Sequence, residues 1–314
     1  MKLKPLAALA LAALLLMQAG CASRQETFSS EASSEYSSGE SSGESADEPS
    51  SIPDEPEESD SEESEPEEKP ALAMSADFLS LADLSDDLVT WGPGVQLNDE
   101  NRPIACVSLQ EQYGDYDAYF IAPSEDKTVT LTFDQGYENG YTSAILDTLK
   151  EKNVTAVFFL TGHYLRSQPE LVQRIIDEGH VVGSHSDSHK VYCSELTIEE
   201  SYQDALGMQE ALRTDYNYEM RLFRFPEGQF SEQSLALMQS MGYKSLFWSF
   251  AYADWDTSNQ PTKEAAMERI LQYLHPGEIM LLHSVSSTNA AILGDLIDEI
   301  RARGYEIGPF AAIS

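Results

Sequence analysis

The hydrophobic pattern of this chain changes character at about residue 128. From there on, short apolar runs alternate with amphipathic stretches, as strand and helix do in turn. Thr128 to Phe133 is a β-branched and aromatic run of the kind that fills a two-sided strand in a parallel sheet. Further strands are predicted at 154–160, at Val181 and Val182, and at 221–225, 244–250, 278–282 and 305–307. Between the first two, Tyr141, Ile145, Leu146 and Leu149 recur on one face of a helix over 140–152. Pro169 opens a helix through Ile176 that Gly179 closes, and Thr197 with Glu200 makes a capping box for a helix to about Arg213. Helices over 231–241, 261–274 and 289–303 each stop at Gly or Pro-Gly. Seven strands alternating with helices call for parallel pairing through right-handed crossovers. The predicted fold is α/β, a distorted and incomplete (β/α) barrel of about seven strands. An open doubly wound sheet is the alternative.

Upstream the pattern is weaker, then absent. Residues 71–127 read as a collar, with a turn at Trp91-Gly92-Pro93-Gly94 and an aromatic segment from Tyr113 to Phe120 packing before the first core strand. No chemistry is predicted there. At the front, Lys2 and Lys4 precede an apolar run from Leu6 to Met17, too short to span a membrane stably. Ala19, Gly20 and Cys21 follow, so residues 1–21 read as a lipoprotein-type secretory signal, although Gln18 stands where an apolar residue is usual. The expectation is an extracytoplasmic protein held to the membrane through a lipidated Cys21, with simple secretion as the alternative.

Residues 22–70 are a disordered linker by composition. From Ser23 to Pro70 the run carries 17 acidic residues against Arg24 and Lys69. Such a segment has too little apolar surface to offset its ordering entropy, and its charges repel one another. It is expected to be an extended tether; a specific protein-binding tail is the alternative. The 314-residue chain has a formal net charge of −35, and residues 71–314 remain net negative without the tether. That argues against a nucleic-acid partner, which needs a basic face. Residues 128–314 are long enough for one α/β domain with a full core. Cys106 and Cys193 are expected as two separate thiols, with a disulfide as the alternative.

Polar residues just after the strands supply the candidate chemistry, because the C-terminal strand edge is where α/β folds place it. Asp134 follows the first strand, as a candidate base or as a helix cap. His185 and His189 follow the third, separated by four. If their loop continues as a helical turn, both imidazoles share a face and suit two ligands of a zinc-like ion. Arg224 and Pro226 end the fourth strand, Asp254 and Trp255 follow the fifth, and His283 and Ser284 the sixth. In a barrel all of these reach one rim. His283, with Asp254 to orient it, is the candidate for general acid–base work. His163, in a loop after a strand, His180, at a helix exit, and His275, in a turn, are assigned to structure.

Five motifs then carry a family resemblance: Thr-Phe-Asp-Gln-Gly at 132–136, His-Ser-Asp-Ser-His at 185–189, Arg-Phe-Pro-Glu-Gly at 224–228, Asp-Trp at 254–255 and Leu-Leu-His-Ser at 281–284. In order and spacing the chain resembles the NodB-homology polysaccharide deacetylases (carbohydrate esterase family 4) over about residues 128–310. Asp-Gln-Gly-Tyr-Glu-Asn-Gly at 134–140, Ala-Tyr-Ala-Asp-Trp at 251–255 and Leu-Leu-His-Ser-Val-Ser at 281–286 are most similar to the delta-lactam-biosynthetic de-N-acetylases, which act on N-acetylmuramic acid in peptidoglycan.

The resemblance implies metal-assisted hydrolysis of an N-acetyl group on peptidoglycan glycan strands. It makes Asp134 the general base, His185 and His189 the holders of a divalent ion (zinc by its ligand type), and His283 the acid that protonates the leaving amine. Asp254 keeps the His283 imidazole oriented and charged, and Arg224 holds Asp134 ionised. Trp255 walls the sugar pocket, and the backbone amide near Glu227 is a candidate oxyanion donor. Two positions depart from the family pattern. Gln135 stands where a second, metal-binding Asp is commonest, although Asn is typical there in the de-N-acetylase branch. Glu227 replaces the more usual Arg or Tyr. Two alternatives follow: a deacetylase of N-acetylglucosamine, chitin-like or O-acetylated glycans, or a non-catalytic wall-binding protein with a degenerate metal site.

Overall fold

All seven predicted strands form, and every pairing among them is parallel. The structure is a computed structural model that describes residues 77–123 and 126–313. The signal-type segment, Cys21, the acidic run and the first residues of the collar lie outside the described residues. The strands are β1 (Thr128–Gln135), β2 (Val157–Leu160), β3 (Val181–Ser184), β4 (Leu222–Phe223), β5 (Lys244–Leu246), β6 (Glu278–His283) and β7 (Glu306–Ile307). β1 is the hub. It is buried along all but its first residue, and it pairs with β2, β6 and β7. Its unbroken apolar and threonine run is what burial on both faces requires.

The sheet runs β7–β1–β2–β3–β4–β5, with the short strand Ala118–Tyr119 beyond β5. A single parallel bridge from Phe250 to Met280 brings the stretch after β5 back to β6. The sheet is therefore curled into a distorted, incomplete barrel and not wound as the alternative doubly wound sheet. β5 is shorter than its apolar run predicts. The carbonyls of Leu246 and Phe247 accept hydrogen bonds from the Arg224 side chain, 2.9 Å each, so a guanidinium stands where a strand ladder would continue.

The aromatic collar segment joins this architecture directly. Ala118–Tyr119 pairs in parallel with β5, and Phe120 stacks on Phe247 with ring centroids 4.3 Å apart. Trp91 is buried, and its Nε1–H donates to the carbonyl of Trp248 at 3.1 Å. The helices follow the sequence closely. Both halves of the Thr197–Glu200 capping box are made, and that helix runs on to Tyr216 before Asn217 closes it in a left-handed conformation. A helix over Gly162–Ser167 was not predicted, because six residues carry no periodicity; Thr161 caps it. His163 consequently lies in a helix and not in a loop. Cys106 and Cys193 are both free.

Candidate active site

Register creates the centre of the site. In the β1–β6 ladder Asp134 lies directly opposite His283. Neighbouring strands are about 4.8 Å apart, and paired residues of a parallel ladder share a face. A carboxylate and an imidazole are thus delivered side by side from opposite ends of the domain sequence.

Asp134 is held by Arg224. The guanidinium is wholly buried, and its Nη1 donates to Asp134 Oδ1 and to Thr132 Oγ1, each at 2.8 Å. Nε and Nη2 are spent on the Leu246 and Phe247 carbonyls. Its flat face lies 4.1 Å above the Phe159 ring. Phe159 in turn needs Gly183: a Cβ there would come within 2.6 Å of the ring. Burial alone would raise the Asp134 carboxyl, but Arg224, and behind it His185 and His283, hold it below the usual carboxylate value. A charge buried this deeply persists only because it is paired. Thr132, two residues before Asp134 and therefore on the same strand face, was missed in the sequence; that period of two was the available signal.

His185 and His189 do come together, but not on a helical turn. Residues 185–190 form a loop in which Ser186 (φ 65°) and His189 (φ 56°) take left-handed backbone. The two rings meet edge to face with centroids 4.8 Å apart. Helical spacing was the wrong reason for a correct pairing. The loop is fastened by hydrogen bonds that the motif alone does not reveal. Ser186 Oγ accepts from the His189 amide at 2.7 Å. Asp204, from the following helix, accepts from the amides of Asp187 and Ser188 at 2.8 and 3.0 Å and from the Tyr192 hydroxyl at 2.7 Å.

The His185 tautomer is dictated by its neighbours. Nδ1 lies 2.9 Å from the Arg224 carbonyl, which only accepts, so Nδ1 carries the proton and Nε2 a lone pair. Burial pushes this imidazole down to about 4, so it is neutral near pH 7. Nε2 faces Asp134 Oδ2 at 3.5 Å. Two acceptors confronting one another in a buried setting call for a cation or a proton donor between them. With His189 alongside, the donor set fits a divalent ion held by imidazole nitrogens. Among the described residues no group of three His, Cys, Asp or Glu side chains is disposed to hold an ion. Gln135 does not complete the set: it is fully buried outside the cleft lining, its Nε2 donates to Ser284 Oγ at 2.8 Å, and its Oε1 has no partner.

His283 has the opposite character to His185. Asp254 is fully buried and accepts from both the His283 amide (2.7 Å) and its Nδ1 (2.8 Å). Asn289 Nδ2 donates to the same carboxylate at 2.5 Å and to the His283 carbonyl at 3.2 Å, and the Tyr252 hydroxyl donates to Asn289 Oδ1. Burial by itself would lower the His283 imidazole, but the Asp254 hydrogen bond and charge outweigh it and raise the pKa above the ordinary value. Asn289 was read only as the start of a helix. Nothing local distinguishes a buried asparagine that serves a distant carboxylate.

These groups line one cleft of about 630 Å³, with Asp134, His185, His189 and His283 at its polar end. Trp255 forms part of its wall and is 60% exposed, open to stack on a ligand. Trp248, which the sequence reading passed over, lines the cleft from a more buried position. Glu227 also lines it, on left-handed backbone (φ 57°), with its Oε2 accepting from Gln229 at 2.8 Å. The glycine after it is required: Gly228 has φ 66°, and a Cβ would come within 2.6 Å of Trp248. His180 and His275 are buried away from the cleft, as assigned.

A parallel barrel that brings a buried carboxylate, an Asp-paired imidazole and two further imidazoles to one cleft has the groups needed to move protons to and from a bound carbonyl compound. Comparison with known proteins gives the class its name. The polysaccharide deacetylase family profile matches residues 122–246. The peptidoglycan-N-acetylmuramic acid deacetylase PdaA of Bacillus subtilis is 38% identical over 219 residues, 69% of this chain and 82% of that protein. Its structure, a family 4 carbohydrate esterase, superposes with a TM-score of 0.68 over 72% of this chain and 96% of that one. The peptidoglycan-N-acetylglucosamine deacetylase PgdA of Listeria monocytogenes is 33% identical over 58% of this chain and 37% of that protein. The present chain belongs to the polysaccharide deacetylase family, hydrolases that cleave the amide bond of an acetylated amino sugar.

Proposed function

We propose that the protein removes N-acetyl groups from the muramic acid residues of peptidoglycan, working outside the cytoplasm from a membrane anchor at a lipidated Cys21. The observation that carries the chemistry is the level pairing of ionised Asp134 with protonatable His283 at one cleft. Asp134, kept charged by Arg224, takes a proton from the attacking water. His283 gives its proton to the nitrogen as the acyl C–N bond breaks, leaving acetate and a free amine. Asp254 holds the His283 ring in position and favours the imidazolium beforehand. His185 and His189 would hold the ion, zinc by the donor type, which when bound polarises the acetyl carbonyl. Trp255 presents an aromatic face to the sugar.

The choice of muramic acid is supported by the B. subtilis relative, matched over most of its length. A reading as an N-acetylglucosamine deacetylase has one observation in its favour, the Glu227 carboxylate in the cleft, which repels an anionic sugar. The test is acetate release by the full chain from glycan strands stripped of stem peptides, with and without added zinc, beside His185→Ala and Asp134→Asn. Release that needs metal and disappears in both variants is expected, with the free amine on muramic residues. Release that survives chelation and His185→Ala would remove the metal from the mechanism. Amine found only on glucosamine residues would replace muramic acid by the second reading.

A further inference from the structure

We propose that a shelf beyond Trp255, edged by Arg269, takes the carboxylate-bearing 3-O substituent of the muramic acid being deacetylated. This rests on the muramic reading above and adds the residue that recognises it. Muramic acid differs from glucosamine by an ether-linked carboxylic acid, so an enzyme that prefers it needs a cation for that group.

Apart from His283 and the ion that His185 and His189 would hold, all assigned to the reaction itself, the cleft supplies none. Its carboxylates are Asp134 and Glu227, and no Lys or Arg lines it. Arg224, close behind, is fully buried with Nε, Nη1 and Nη2 all committed. In a chain with a net charge of −35, long-range attraction does not help an anion either.

A second cavity, of about 460 Å³, adjoins the cleft and shares Tyr252, Ala253 and Trp255 with it as a common wall. That volume is in the range of sites for small ligands, about 300–1,000 Å³. Its lining also includes Asn259, Ala265 and Arg269, none of which lines the cleft. Asp256 also lines this cavity, with its Oδ1 accepting from the Ser258 amide and hydroxyl at 3.0 and 2.6 Å; these bonds hold it ionised, so Arg269 must outweigh that charge for an anion to bind. Arg269 is exposed on the helix Lys263–Gln272, and among the described residues its partner is the Tyr273 ring, with the guanidinium 4.2 Å from the centroid. Stacking of this kind leaves the N–H edge of the fork free for a carboxylate. The bland reading is a solvated surface arginine beside a crease. Continuity with the catalytic cleft and the want of any other cation there not already committed to the reaction favour the shelf.

The test compares the full-length wild-type chain with Arg269→Gln and Arg269→Lys on four substrates. These are peptide-free glycan strands, the same strands with the muramic carboxyls amidated, strands bearing stem peptides, and N-acetylglucosamine oligomers. Arg269→Gln is expected to lower kcat/KM about tenfold on peptide-free strands, through KM, because the contact is remote from the scissile bond. Amidated strands and glucosamine oligomers should show no difference between the two proteins, and Arg269→Lys should recover part of the loss. A loss seen on stem-bearing strands alone would keep the carboxylate and move its source to the peptide. Equal rates for wild type and Arg269→Gln on every muramic substrate would overturn the shelf while leaving the muramic reading intact. A loss of the same size on amidated strands would also overturn it. Wild-type release from glucosamine residues only would overturn both.

Discussion

The two ends of β6 each carry a histidine beside a buried carboxylate, and they behave in opposite ways. At the C-terminal end, Asp254 receives the His283 amide, its Nδ1 and Asn289 Nδ2, and it raises the His283 pKa. At the N-terminal end, Glu278 is equally buried and 3.4 Å from His275 Nδ1. There the donors are missing. Glu278 Oε2 takes the His275 amide at 3.1 Å, and Oε1 has no partner. Burial therefore drives the Glu278 carboxyl well above its ordinary value. His275 uses Nδ1 on the Tyr273 carbonyl at 2.7 Å and Nε2 on Ser249 Oγ at 2.8 Å, and burial pushes it down to about 4. Proximity of acid and imidazole favours the imidazolium at one end and the neutral forms at the other. The carboxylate that raises its histidine accepts three N–H donors, and the one that does not accepts one.

The largest test of this contrast is Asp134→Asn, which removes the proposed base and strands the Arg224 cation. A fall in kcat of about 10³-fold is expected, with a loss of stability of about 3–5 kcal/mol in chemical denaturation. Unchanged stability would mean that Arg224 is compensated by its carbonyl partners alone. Next is Asp254→Asn, expected to lower kcat/KM about 10²-fold. It should also carry the alkaline limb of the pH profile to lower pH. With Asp254 present that limb lies above 6.5, where the raised His283 deprotonates; without it, the largest influence opposing burial is gone and the pKa falls. A limb that stays in place would assign it to another group. In the metal-free protein, zinc binding should weaken as pH falls toward about 4, where His185 loses its lone pair to a proton.

Asp204→Asn loosens the loop of His185 and His189 without touching the cleft. It should weaken zinc binding by about tenfold in titration calorimetry, as loss of an outer partner typically does. An unaltered affinity would make Asp204 a purely structural fastening. The smallest effect on rate is expected from Glu278→Gln, which should leave kcat unchanged and stabilise the fold. Because the folded pKa of Glu278 is raised above 4.5, the wild type loses stability as pH rises from there toward the folded pKa. The gain from Gln should grow by about 1.4 kcal/mol per pH unit over that window. A gain independent of pH would show that Glu278 is ionised in the fold.

Much of this was legible in the chain. Period and composition marked the strands because burial on both faces tolerates only apolar and threonine-rich runs, and motif order marked the rim because strand ends in such a fold converge. What failed was conformational or long-range. The left-handed loop at 185–190 resembles a helical turn by spacing alone, and the helix at Gly162–Ser167 is too short to show a period. Trp248 and Asn289 carry no local mark of the partners they meet.

The sequence by itself determined which residues are buried in strands, which polar side chains end those strands and, through five spaced motifs, the family. Only the tertiary structure decided that Asp134 stands level with His283, that Arg224 interrupts β5 to hold the base, and that Gln135 turns to Ser284 and away from the cleft. The reason is physical. Burial and period are properties of a local stretch, whereas register, protonation and hydrogen-bond satisfaction depend on groups that only the curled sheet brings within reach.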